Sequence, residues 1–139
     1  MSAAPKLDEL LANVDLFSGL SGRQRKKLTD AGREVDYTAG HDVTEQDKGA
    51  LAFHLILEGA VEVSQDGKKL RSLGVGDYFG EISMIDGKWR SATVTATSPL
   101  RTFAIYHDIF DALLSKDAEV GRQLLRNLCA RLREAEKRD

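Results

Sequence analysis

Apolar and polar residues alternate through the middle of the chain, whereas the two ends carry apolar residues at helical spacing. Alternation, or a short β-branched run, is typical of a strand. The predicted strands are 33–37, 42–44, 51–57, 60–65, 68–73, 93–96 and 100–106. Asp66-Gly67 is a two-residue hairpin turn signal, so Val61, Val63 and Leu70 are expected to share the inner face of that hairpin.

The two ends of the chain predict helices. Apolar residues of 5–14 lie on one helical face, and a second helix is expected to begin after Ser21 as cap and to end at Gly32. Asp108 and Asp117 each look like a cap, the first before a short helix over 109–115 and the second before a helix that runs to the end of the chain.

The last predicted helix carries a leucine seam. Leu125, Leu128, Leu132 and Ala135 repeat at spacings of three and four. Such a seam either pairs with a second copy of the chain or packs on the chain's own sheet. Helices at the ends and strands between them predict an α+β fold: an antiparallel β-roll, jelly-roll-like and double-stranded, with flanking N-terminal helices and a long C-terminal helix. The 139 residues suit one domain, 1–139.

Composition argues against several classes of function. The formal charge of −2 gives no field for nucleic acid or an anionic membrane. Cys129 is the single cysteine, so a disulfide framework is excluded, and its apolar neighbours indicate a core position rather than a nucleophile. The three histidines lie apart, so no metal site is expected, and no serine sits in a nucleophile elbow. We expect no enzyme, no cofactor and no membrane span. With no signal peptide at the start, a cytoplasmic location is expected.

The segment from Asp77 to Val94 carries the candidate chemistry. Phe79-Gly80-Glu81 opens a short apolar turn over 82–85, whose first backbone N–H groups have no partner inside it. Gly80 lets an anion approach the backbone, and Arg90 supplies forked donors for phosphate oxygens. The Glu81 carboxylate repels a phosphate but accepts a hydrogen bond from a sugar hydroxyl. This arrangement suits a ribose phosphate.

Phe-Gly-Glu-Ile-Ser, followed after a short spacer by Arg-Ser-Ala-Thr-Val, resembles the phosphate-binding cassette of cyclic-nucleotide-binding domains. Such domains occur in catabolite activator proteins, kinase regulatory subunits and nucleotide-gated channels. The resemblance covers about residues 16–133, and Gly59 and Gly76 also stand where the family has glycine. The alternative is that Glu81 and Arg90 form an ordinary ion pair in a member that has lost its ligand.

The resemblance implies a role for each matching residue. Arg90 would hold the cyclic phosphate with N–H groups from Glu81 onward and the Ser91 hydroxyl, and Glu81 would accept from the ribose 2′-OH. Val63 and Leu70 would pack on the base. The implied ligand-binding residues are Phe79, Gly80, Glu81, Ile82, Ser83, Arg90, Ser91, Ala92, Val63, Leu70, Arg131 and Arg133.

Three of these residues, Arg131, Arg133 and Ser91, concern the choice of base. Catabolite activators place hydroxyl residues on the last helix against the base. This chain has Ala135 and Glu136 there, so Arg131 or Arg133 is the candidate to cap the base instead. Ser91 directly after the cassette arginine favours cAMP over cGMP.

Three functions remain open at this point: a stand-alone cyclic-nucleotide sensor that acts through an unidentified protein partner, a regulatory domain read without its effector, and a ligand-free scaffold that dimerises through the last helix. Catabolite activators continue into a helix-turn-helix after this helix, whereas this sequence ends at Asp139. We therefore expect no specific DNA binding.

Overall fold

The structure is a computed structural model that describes residues 7–44, 51–88 and 92–138. Two helices precede the strands, a short one interrupts them, and two follow. The helices are α1 Leu7–Ala12, α2 Gly22–Ala31, α3 Glu81–Asp86, α4 His107–Lys116 and α5 Ala118–Glu136. A 3₁₀ turn, Asp15–Phe17, joins α1 to α2.

The strands form two antiparallel sheets that face each other, in the orders β1-β8-β3-β6 and β2-β7-β4-β5. The strands are β1 Arg33–Tyr37, β2 Asp42–Thr44, β3 Ala52–Glu58, β4 Val61–Gln65, β5 Lys68–Leu73, β6 Tyr78–Phe79, β7 Thr93–Ala96 and β8 Leu100–Tyr106. This confirms the predicted α+β fold, an antiparallel β-roll with a long C-terminal helix.

Strand β3 contributes side chains to two separate hydrophobic cores, one beneath the helices and one between the two sheets. Phe53 and Leu55 pack with the helices, whereas Ile56 packs between the sheets against Val63 and Phe79. Both faces of β3 are therefore covered, which is why its sequence reads as a continuous apolar run rather than as an alternation. The second core lies directly behind the cassette.

The two predicted N-terminal helices are present, although residues 5 and 6 of the first prediction lie outside the described residues. Ser21 caps α2 through a capping box, in which its hydroxyl accepts from Gln24 N and the Gln24 side chain accepts from Ser21 N. Gly32 follows the last residue of α2, as predicted. Helix α1 ends at Ala12 instead of Val14, because the chain turns there into the 3₁₀ segment.

The predicted strand bounds hold within one residue, and Asp66 (φ 53°) and Gly67 (φ 77°) form the β4–β5 turn. The prediction that Leu70 lies on the inner face is wrong. Val63 pairs with Arg71 and Ser64 pairs with Lys69, so Leu70 is the extra residue of a β-bulge and is 50% exposed. A bulge breaks the alternation on its strand, which moved Leu70 off the inner face.

Asp117 caps α5 by accepting a hydrogen bond from Val120 N, as predicted, but Asp108 does not cap α4. Helix α4 already begins at His107, so Asp108 lies inside its first turn. Cys129 is exposed on α5, which contradicts the predicted core position. No helix in the described ranges is long and apolar enough to span a bilayer.

Candidate functional site

A cavity of about 320 Å³ lies where the β6–α3 corner meets the inner face of the second sheet. Seven of the residues predicted to bind ligand line it, namely Val63, Phe79, Gly80, Glu81, Ile82, Ser83 and Ala92. They come from four separate elements and loops. The fold therefore brings the two halves of the cassette to one cavity, although ligand contact by these residues stays a prediction.

Gly80 makes the corner possible. It precedes α3 with φ 87° and ψ 8°, a left-handed conformation that glycine adopts without steric cost. Glu81 then begins α3, and Ser83 and Met84 are buried on its inner side. The helix therefore starts at the cavity, with its first backbone N–H groups at that end.

The cassette is supported from behind by a buried histidine. The His54 ring stacks on Phe79 with centroids 4.9 Å apart, and its Nδ1 lies 3.1 Å from Thr102 Oγ1. His54 and Thr102 are both fully enclosed. Because the His54 ring is fixed in this way, it holds Phe79 in one position, and Phe79 in turn fixes the backbone that leads into Gly80.

Glu81 has an arginine beside it that comes from the other end of the chain. Arg131 of α5 places Nη1 3.4 Å from Glu81 Oε1. Its Nη2 donates to Tyr78 OH at 2.8 Å and to Asp15 Oδ1 at 3.1 Å, and Tyr78 OH also bonds Asp15. This four-residue network joins the cassette, the 3₁₀ turn and α5.

The charges in the network stabilise each other. Burial acts to raise the pKa of Asp15, but hydrogen bonds from Tyr78 and Arg131 outweigh burial and lower that pKa. Burial, followed by the hydrogen bond to Asp15, raises the pKa of Tyr78. At neutral pH the phenol therefore keeps its proton and the carboxylate keeps its charge.

Two amide side chains extend this attachment along α5. Asn127 Nδ2 donates to Leu16 O at 2.7 Å and to Ser18 O at 2.8 Å, and Gln123 Nε2 donates to Ser18 O at 3.3 Å. Gln123, Asn127 and Arg131 follow each other at four-residue spacing, so they lie on one face of the helix. That face of α5 is bound to the 3₁₀ turn.

Not every residue implied by the resemblance lies at the cavity. Arg90 and Ser91 fall outside the residues that the structure describes, so their roles stay predictions. Arg131 contacts Glu81 instead of facing the cavity, and Arg133 is exposed on α5. Leu70 is absent from the cavity lining because of its bulge.

Sequence reasoning missed other residues of the lining. These are Arg71, Tyr78, Asp86, Lys88 and Val94. The pairing Val63–Arg71 could have been found from the hairpin turn only if the bulge had been recognised. Asp86 and Lys88 lie in the spacer between the two halves of the cassette. The sequence shows how long this spacer is, but it does not show that the spacer turns toward the cavity. Within the described residues no group of histidine, cysteine or carboxylate side chains could hold a metal ion.

Comparison with known proteins decides the family. Residues 34–117 match the family described as "Cyclic nucleotide-binding domain", which is more than half of the chain. The chain belongs to this family. The match confirms the resemblance seen in the cassette, and it spans the roll from β1 to the residue before α5.

Several relatives share the domain. A CRP-like cAMP-activated global transcriptional regulator of Mycobacterium tuberculosis is 30% identical over 132 residues, which is 91% of this chain and 59% of that protein. A cAMP-dependent protein kinase regulatory subunit of Schizosaccharomyces pombe is 36% identical over 116 residues, or 83% of this chain and 28% of that protein. The chain therefore spans between about a quarter and three fifths of these relatives.

A solved structure confirms the fold. The N-terminal domain of a transcriptional regulator from Streptomyces coelicolor A3(2) superposes with a TM-score of 0.84 at 26% identity, covering 92% of this chain and 93% of that one. The helices outside the matched family residues are therefore part of a shared domain architecture.

Proposed function

We propose that this cyclic nucleotide-binding domain is a sensor that binds cAMP and passes the signal on through α5. The observation that carries the proposal is the cavity itself, which is lined on one side by Gly80 to Ser83, including the Glu81 carboxylate, and also by Val63 and Val94 of the second sheet. An anion-accepting corner, a carboxylate and an apolar wall suit the phosphate, ribose and base of one nucleotide.

The choice of cAMP over cGMP has two supports. The M. tuberculosis relative is described as cAMP-activated and the S. pombe relative as cAMP-dependent. In addition, serine follows the cassette arginine in this sequence, at Ser91. Both relatives are named as regulatory proteins and not as catalysts, which agrees with a sensor.

A specific observation also favours dimerisation through α5. Leu125 and Leu132 are 65% and 62% exposed, whereas Leu128 packs partly against the helical core. Within the seam, Leu128 therefore packs on the chain's own core, whereas Leu125 and Leu132 are available to pair with a second copy. A dimerising scaffold without ligand remains the second candidate function.

Three further proposals concern the protein effector, DNA binding and the cellular location. We propose a protein effector and a cytoplasmic location, and we keep the prediction that this domain alone does not bind DNA specifically. The match to a transcriptional regulator covers only 59% of that relative, so its whole activity does not carry over.

The binding proposal is tested by thermal shift and calorimetry with cAMP, cGMP and linear 5′-AMP. We expect cAMP to raise the melting temperature in a saturable way and 5′-AMP to have little effect. Absence of binding by both cyclic nucleotides would favour the scaffold.

A further inference from the structure

A histidine at the start of α4 caps the far end of the cassette helix α3. The last carbonyl groups of a helix have no partner inside it and need donors from elsewhere. Gly87 N donates to Ser83 O at 3.0 Å, and His107 Nδ1 lies 2.8 Å from Met84 O. A carbonyl oxygen only accepts, so Nδ1 carries the hydrogen in this contact. His107 therefore supplies a side-chain donor to the C-terminal end of α3.

The imidazole also lies against the residue at which α3 ends. Gly87 follows α3 with φ 70° and ψ 22°, the left-handed conformation in which glycine commonly ends a helix. A Cβ atom at this position would stand 2.8 Å from His107 Nε2 and 2.9 Å from Cε1, which is closer than such atoms pack. Gly87 is thus fixed both by its own turn and by the ring of His107.

The histidine itself is held by the first sheet. Its backbone N–H donates to Leu51 O at 2.8 Å, and the preceding residue, Tyr106, pairs with Ala52 of β3. The ring therefore projects from the end of a paired strand. Helix α3 has only six residues, which is too short to hold a helical conformation without contacts to the rest of the protein. The position of α3 depends on the groups that anchor it, and His107 connects it to the sheet.

The end of α3 matters for the cavity because the chain lines the cavity on both sides of that end. Asp86 and Lys88 flank Gly87 and both line the cavity, and Lys88 N donates to Asp86 Oδ1 at 2.9 Å. Arg90, the predicted phosphate ligand, follows Gly87 by three residues in the sequence. A change in the direction of the backbone at Gly87 therefore changes where the second half of the cassette starts.

We infer that His107 is a positioning residue for nucleotide binding. By capping α3 and covering Gly87, it sets the direction in which the chain continues toward Arg90, and so aligns the two halves of the cassette on one phosphate. This inference rests on the proposed cyclic-nucleotide function. His107 does not line the cavity, so it acts through the backbone of α3 and not by touching the ligand.

The experiment compares two substitutions of similar shape. His107→Asn keeps an N–H group at the place of Nδ1, whereas His107→Leu has a methyl group there. We expect His107→Leu to weaken cAMP binding about tenfold in calorimetric titration, because Met84 O loses its donor. His107→Asn should restore binding to within about threefold of the parent, because the donor is back.

A second measurement needs no ligand. Trp89 is the single tryptophan of the chain and lies between Gly87 and Arg90 in the sequence, so its fluorescence reports on the segment that leaves α3. We expect the emission maximum of ligand-free His107→Leu to differ from that of the parent, whereas His107→Asn should keep the parental emission. Asp111→Asn, an exposed change on the same helix, is the control and should alter neither reading.

Each outcome decides the role of His107. Parental affinity and emission in His107→Leu overturn that role and leave the proposed function intact. A His107→Asn variant as weak as His107→Leu also overturns it, because the ring would then act by packing alone. If His107→Leu does not fold, His107→Asn decides by itself: parental affinity supports the donor, and a loss of about tenfold overturns it. A parent chain that binds neither cyclic nucleotide overturns the proposed function and the inference together.

Discussion

Arg131 of α5 lies against Glu81 of the cassette, with Nη1 3.4 Å from Oε1. The carboxylate proposed to receive the ribose hydroxyl is therefore already in contact with the C-terminal helix. Arg131 also forms hydrogen bonds with Asp15 and Tyr78. A ligand that binds Glu81 would therefore weaken the contact of Arg131 with Glu81 relative to its contact with Asp15. This gives the cavity a direct connection to α5, where the exposed leucines lie.

The first prediction concerns that connection. Adding cAMP should change hydrogen exchange across residues 118–136, because a ligand on Glu81 alters how Arg131 holds the helix. In Arg131→Gln the ligand-induced change should shrink while binding persists. Arg126→Gln is the matched control, since Arg126 is exposed on the same helix and has no predicted ligand contact. Equal protection of α5 with and without ligand in the parent chain would contradict the connection.

The second prediction concerns the phosphate. Arg90→Leu should weaken cAMP binding about a hundredfold or more, because hydrogen bonds to a charged group contribute about 1.5–3 kcal/mol each and arginine offers two. The fold should be retained, as judged by circular dichroism. Arg23→Leu, at an exposed position of α2, is the control for loss of charge. Unchanged affinity in Arg90→Leu would show that the cassette interpretation is wrong.

Much of the roll was predictable because its signals are local. The segments 68–73, 93–96 and 100–106 were predicted to the residue, since alternation and the Asp66-Gly67 turn define them. Leu70 was misplaced for a physical reason: a single extra residue beside Val63 changed which side chains face inward. Arg71 took the inward place, and no local pattern signals a bulge there.

The network around Glu81 could not be predicted, because its members are distant in sequence. Arg131 and Glu81 are 50 residues apart, and Tyr78 and Asp15 are 63 apart. The family resemblance predicts Arg131 near the ligand, whereas in the structure its guanidinium contacts Glu81, Asp15 and Tyr78. Only the path of α5 past the 3₁₀ turn, held by Asn127 and Gln123, brings these groups together.

The third prediction concerns pH. The pKa of Asp15 is lowered in the folded chain, so its ionised form stabilises the fold above the unfolded-state pKa, near 3.8. That contribution is fully present at neutral pH and is lost as the pH falls through the lower, folded-state pKa. The melting temperature of the parent should therefore exceed that of Asp15→Asn at pH 7, and the difference should vanish in strong acid. Asp111→Asn, an exposed change on α4, is the control. A difference that stays unchanged as the pH falls well below the unfolded-state pKa would contradict the assignment.

The fourth prediction concerns Glu81 itself. Glu81→Ala should reduce the preference for cAMP over 2′-deoxy-cAMP, because the acceptor for the 2′-hydroxyl is removed while the phosphate contacts remain. The loss for cAMP should be smaller than in Arg90→Leu, since one hydrogen bond to a charged group, worth about 1.5–3 kcal/mol, is lost instead of two. Calorimetric titration of both ligands provides the ratio. A ratio equal to that of the parent would assign the hydroxyl to another residue.

The last prediction separates the two roles of the leucine seam. Leu132 is 62% exposed, so Leu132→Glu adds a charge without disturbing the chain's own core and should leave a folded monomer if α5 pairs with a second copy. Leu128 is partly buried against the helical core, so Leu128→Glu should instead lower the melting temperature, because it removes apolar packing and brings a charge to the edge of that core. Sedimentation velocity of the parent and of both variants measures assembly, and thermal unfolding measures stability. A parent chain that stays monomeric at high concentration, or a Leu132→Glu variant that still dimerises, would show that the exposed leucines of α5 are not the contact between copies.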